Sequence, residues 1–79
     1  MSRSPLKNIP IKTFRDYLEW KGLKHLRTTG GHEIWGKKGL KRPVVFQTHE
    51  NPVPERVVRV IFRVLNETAE DYIEFLKLS

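Results

Sequence analysis

The chain has no cysteine among its 79 residues. That excludes a disulfide framework and a thiolate zinc site, two common supports of a domain this small. No apolar run approaches the ~20 residues of a membrane-spanning helix, and Met1 to Lys12 has no apolar stretch of the secretory kind. There is no His-Glu-x-x-His metal pattern, no phosphate-binding loop and no hydrolase nucleophile elbow. Internal repeats and low-complexity segments are also missing. The expectation is a soluble, cytoplasmic protein with no membrane association and no bound metal or other cofactor. Acidic residues are the scarcer charge, nine against fifteen Lys and Arg, so the net charge is +6 and the pI about 10.0.

The basic excess is uneven. Up to Arg42, eleven basic residues face only Asp16, Glu19 and Glu33, for +8; from Pro43 onward four face six acidic residues, for −2. A basic half of this kind suits a polyanion, because Lys and Arg displace the counterions condensed on phosphates.

A chain of this length makes one domain with a small core. Met1 to Asn8 is polar and carries Pro5, so residues 1–10 read as a flexible arm and 11–79 as the domain. Ile11, Phe14, Tyr17 and Leu18 recur at helical spacing, and Gly22 after the cationic Lys21 is a helix stop, which predicts a helix over about Ile11 to Lys21. Three short segments follow, Leu23 to Thr29, His32 to Lys37 and Lys41 to Thr48, with turns at Gly30-Gly31 and Lys38-Gly39. Turns this tight imply an antiparallel meander, since parallel pairing needs a longer crossover. Asn51-Pro52-Val53-Pro54 breaks the chain, and Pro54 suits a helix start. Between Pro54 and Leu65 apolar residues cover most of a helix, leaving Arg56, Arg59 and Arg63 on one stripe. Asn66 or Thr68 caps a last helix, Thr68 with Asp71 in the manner of a capping box, and Tyr72, Ile73, Phe75 and Leu76 give it an apolar face. The expected class is α+β, in the α-β-β-β-α order of a double-stranded-RNA-binding domain with a short closing helix.

Three histidines are the candidates for chemistry. His25, between Lys24 and Leu26, reads as an ordinary strand histidine. His49, beside Glu50, is either a contact for RNA or a protein partner, or a cap or solvent-facing residue. His32 follows Gly30-Gly31, where little side-chain bulk stands between a ligand and the backbone. An imidazole titrates near neutrality and can take a proton from a 2′-hydroxyl or give one to a leaving oxygen. Arg27, Lys37 and Lys38 are the cations placed to stabilise a phosphorane, with Lys24 as a further phosphate contact. The alternative is a turn histidine with no role. On a regular strand His32 and adjacent Glu33 point to opposite faces and do not form a metal pair. Trp20 and Trp35 can stack on bases, but in so small a domain aromatics more often fill the core.

Gly22-Leu23, the run Arg27-Thr28-Thr29-Gly30-Gly31-His32-Glu33-Ile34-Trp35, then Pro43-Val44-Val45-Phe46 and His49, resembles the HicA toxins. Pro54-Glu55-Arg56-Val57 through Ile61 is similar to the helix that follows in that family, and Glu70 to Leu78 to its short closing helix. The likeness spans roughly Ile11 to Leu78, and the Gly-x-His turn between two strands carries most of its specificity. It implies a toxin of a type II toxin–antitoxin system: an endoribonuclease that cleaves messenger RNA and is neutralised by a HicB-type antitoxin. The catalytic histidine of the family's turn falls on His32. Gly31 stands where the family has Ser or Thr, Leu23 where Phe is common and Glu55 where Gly is frequent. The expected mechanism is an internal 2′-hydroxyl attack without metal, with Gly30 and Gly31 giving the approach and Lys24, Arg27, Lys37 and Lys38 holding phosphates. Two rivals are a non-catalytic RNA-binding module of the same fold and an interaction protein that holds an acidic partner on the arginine stripe.

Overall fold

The computed structural model describes residues 4–78. It is an α+β domain: α1 (Ile11–Trp20), β1 (Lys24–Thr29), β2 (His32–Gly36), β3 (Val44–Gln47), α2 (Glu55–Leu65) and α3 (Ala69–Leu78). The strands form an antiparallel meander in the order β1-β2-β3. The helices cover one face of the sheet, and the other is bare.

Each helix ends as its sequence dictates. Gly22, at φ +90°, lets its own N–H reach the Glu19 carbonyl and the Leu23 N–H reach Leu18 at 2.9 Å, a Schellman stop with buried Leu18 and Leu23 beside it. Asn66 does the same for α2 at φ +56°, with the Glu67 N–H bonding the Phe62 carbonyl at 2.8 Å. That leaves Thr68 to open α3, where the Asp71 carboxylate accepts from the Thr68 N–H at 2.7 Å and from its hydroxyl at 3.0 Å. The N–H of Ile11 at the start of α1 is met from far along the chain, by the Asn51 side-chain oxygen.

Alternation along β2 and β3 sets the two faces. Glu33, Trp35, Val44 and Phe46 turn toward the helices and are buried, while His32, Ile34, Val45 and Gln47 turn away. The core is aromatic: Phe14 meets Phe46 edge-on, and Tyr17 stacks on Phe62 and touches Tyr72 and Phe75. The Tyr17 hydroxyl, whose pKa is pushed up by burial and then by Glu67, donates to the Glu67 carboxylate, which also pairs with Lys21.

Three expectations need correction. The segment expected as a flexible arm is packed from Ser4 onward: Leu6 and Ile9 are core residues, and Ile9 forms an isolated bridge with Val53. Met1, Ser2 and Arg3 lie outside the described residues. A core this small recruits apolar residues from beyond the regular elements. Second, β3 starts at Val44, because Lys41 to Pro43 is an exposed loop. Third, of the two tryptophans only Trp35 is core; Trp20 is 42% exposed, lies against Phe75 and has the Lys21 ammonium over its ring. The broken alternation of β1 has a cause as well. The register shifts between His25 and Arg27, so Leu26 is a bulge residue and is 57% exposed.

Candidate functional site

The bare sheet face ends at the β1–β2 hairpin. Thr29 pairs with His32 across the two-residue turn Gly30-Gly31, and both glycines have positive φ, +55° and +83°. That is the I′ class of hairpin, whose backbone twist matches that of the strands. His32 is therefore the first residue of β2, exposed, with Thr29 on one side and Gln47 on the other. His49 follows β3 at the same end. A side chain placed on Gly31 would meet the His49 ring at 3.4 to 3.5 Å, so this imidazole lies against bare glycine backbone.

Directly behind His32, on the helical side, Glu33 is 3% exposed and fully partnered. Its carboxylate accepts from Arg15 on α1 through both Nε and Nη2, from the Trp35 indole N–H at 3.1 Å and from the Thr48 hydroxyl at 2.7 Å. Arg15 also donates to Thr48, and the Thr48 N–H donates to the Gly31 carbonyl at 2.8 Å. Hydrogen bonding by Arg15 is the largest influence holding the Glu33 pKa down to about 2, against the opposing effect of burial, with Thr48 and Trp35 assisting. A charged carboxylate with every lone pair engaged is a rigid junction. It ties α1, β2 and the end of β3 together at the root of the histidine turn.

Away from the turn, the bare face opens into a groove of about 700 Å³. Among the described residues its cations are Lys24, Arg27, Lys37, Lys38, Lys41 and Arg42, and no acidic residue lines it. Leu26, Ile34, Leu40 and Pro43 supply an apolar floor. The four basic residues singled out from the sequence thus come together, and Lys41 and Arg42 join them. His32 shares their face but stands at the far end of β2. Arg27 pairs with Ile34, and Thr29 with His32, so the Arg27 side chain starts from a position diagonal to His32 and can reach it. Lys37 and Lys38 follow β2 at its other end, roughly 16 to 20 Å along the chain from His32 at about 3.3 Å per residue. They stand too far along the strand to act on a group bound beside His32.

The other sequence candidates fall elsewhere. His25 lies on the helical side, its Nε2 2.8 Å from the Thr28 hydroxyl and its ring edge against Trp35, which makes it an ordinary strand histidine. Neither tryptophan is on the bare face. Arg56, Arg59 and Arg63 are exposed on α2, and Arg59 is engaged by Glu55 and Ser4. Among the described residues no group of three His, Cys, Asp or Glu side chains comes together as a metal site, and no helix is long and apolar enough to cross a membrane.

Arg15, Thr48, Lys41 and Arg42 were not singled out by the sequence reading. For Lys41 and Arg42 the signal was present, since they close the basic half of the chain. Arg15 and Thr48 gave none, because their partner lies far away in sequence. No family model, no curated protein and no solved structure matches the chain.

Proposed function

We propose that this protein is an endoribonuclease that cleaves single-stranded messenger RNA without a metal ion, with His32 as a catalytic residue. The observation that carries this reading is the shared face. An exposed histidine on a glycine turn stands at one end of a bare sheet whose other end is a groove with six cations and no acid. Phosphates of a bound strand run along Lys24, Lys37, Lys38, Lys41 and Arg42. Gly30, with nothing within 4 Å of where a side chain would begin, leaves room for the strand to come against the turn, where Arg27 reaches the reacting phosphate. His32 moves a proton at the 2′-oxygen or at the leaving 5′-oxygen, and the product carries a cyclic phosphate.

The resemblance of the Gly30-Gly31-His32 turn to that of the HicA toxins supports the same reading and extends it to a biological role. The protein then acts in the cytoplasm as the toxin of a toxin–antitoxin pair, in a stress response. Its HicB-like antitoxin covers His32 with acidic residues that match the basic face. A non-catalytic RNA-binding module is the second reading, and the six-cation groove is compatible with it. Among the described residues the bare face carries no Phe, Tyr or Trp, so base stacking, common where RNA is bound without cleavage, has only histidine rings to use.

The test is expression of the wild-type chain and of His32→Ala in a bacterial host, with growth and messenger-RNA integrity scored together. Growth arrest with RNA decay that disappears in the variant is the expected result. A soluble, folded wild type that neither arrests growth nor degrades RNA would leave the binding module as the better reading.

A further inference from the structure

We infer that His49 is a second catalytic residue, paired with His32 so that one imidazole serves each end of the bond being broken. This rests on the ribonuclease reading above. Three observations bring the two histidines together at one end of the sheet. The His49 ring lies against Gly31, the residue before His32, at 3.4 to 3.5 Å from where a side chain would begin. The segments that carry them are tied twice through Thr48, the residue before His49. Its N–H bonds the Gly31 carbonyl at 2.8 Å, and its hydroxyl bonds Glu33, the residue after His32, at 2.7 Å. Both histidines are exposed, and among the described residues neither ring is spent on a hydrogen bond or an ion pair, unlike His25.

The chemistry gives the second ring a task. In 2′-hydroxyl attack a proton leaves the nucleophile at one side of the phosphorus and another must reach the 5′-oxygen at the opposite side. One imidazole alone has to serve both sites or share with water. With two, a neutral ring takes the 2′-hydroxyl proton as the P–O2′ bond forms. The other, as imidazolium, gives its proton to the 5′-oxygen as the P–O5′ bond breaks. The products are a 2′,3′-cyclic phosphate and a 5′-hydroxyl, and the next turnover begins after the two rings re-equilibrate their protons with water.

The experiment measures single-turnover cleavage of a short single-stranded RNA by the wild type, His32→Ala, His49→Ala and the double variant, with melting temperatures as a check on folding. A second substrate carries sulfur in place of the bridging 5′-oxygen at the scissile bond, so that its leaving thiolate needs no proton. Each single variant is expected to lose roughly 100-fold or more on normal RNA. The double variant should fall little below the slower single, as for groups that act as a unit. On the sulfur substrate one of the two single variants should recover and the other should not, which identifies the acid. His49→Ala keeping the wild-type rate while His32→Ala loses it would overturn the pairing and leave the ribonuclease intact. Failure of both variants to recover on the sulfur substrate would overturn it too. A folded wild type that cleaves neither substrate would remove the ribonuclease reading and the pairing with it.

Discussion

Glu33 is the buried charge at the root of the histidine turn, its carboxylate held by Arg15, Trp35 and Thr48. Strand alternation put it on the face opposite His32, which is where it lies. Its partners came from α1 and from beyond β3, and nothing local announces such a junction. Because its folded pKa, about 2, lies below the ordinary 4.5, the folded state binds fewer protons than the unfolded chain as the pH falls. The stabilisation is therefore present above about pH 5 and drains away as the pH drops through 4.5 toward 2, by roughly 3 kcal/mol in all. Urea unfolding of the wild type at a series of pH values should show that slope, and Glu33→Gln should be less stable at neutral pH with a shallower slope through the same window, the remainder coming from Glu55 and Asp71, whose carboxyls are also held below their ordinary values. Gly31 is the second decisive residue. Its φ of +83° disfavours any side chain, and the His49 ring occupies the adjoining space. Gly31→Ala is expected to cost about 1 to 2 kcal/mol from backbone strain, with the new methyl group at ordinary contact distance from the His49 ring. Gly30→Ala, with no neighbour within 4 Å, carries only the strain. Thermal melting and cleavage rates of the two variants separate these effects.

At the scale of the elements, the sequence was most legible where a local rule governs. The helix stops at Gly22, the two-residue hairpin at Gly30-Gly31, the capping residues Thr68 and Asp71 and the meander order all follow from turn and capping chemistry that neighbours in the chain supply. It was least legible where tertiary contacts overrule local pattern. Leu6 and Ile9 sit among polar residues and a proline and look like part of a loose arm, yet a small core takes them because few other apolar groups are at hand. Ile9→Ala is expected to destabilise the domain by about 2 to 4 kcal/mol, whereas truncation in a solvated arm would leave the urea midpoint unchanged. The bulge at Leu26 is another such case: an alternation that fails halfway along β1 is recorded in the sequence, but which residue is pushed out is settled only by pairing with β2.

For the molecule as a whole, charge segregation is the feature that both sequence and structure express. The basic half of the chain contributes β1, β2 and the loop to Pro43, and these build a groove with no acidic residue in it. Lys24, Arg27, Lys37 and Lys38 were legible in the sequence as neighbours of the histidine turn, whereas Lys41 and Arg42 join them only through the fold of the loop before β3. If all six hold phosphates, RNA affinity should fall steeply with salt, and removing Lys41 or Arg42 should lower the slope of log affinity against log salt by about 0.7 each for a single strand. An unchanged slope would take those residues out of the interface. The site was legible in part for the same reason: the identity of the turn histidine and its cations is a matter of sequence, whereas the distance of Lys37 and Lys38 from His32 and the approach of His49 are matters of register and folding. The most direct measurement is cleavage of a labelled single-stranded RNA by the purified protein in the presence of a chelator, compared with His32→Ala of matched melting temperature. Fragments ending in a cyclic phosphate from the wild type, with a loss of roughly 100-fold or more in the variant, are the result expected. Intact RNA with the wild type, or equal fragments from both proteins, would contradict the assignment of His32 as a catalytic residue.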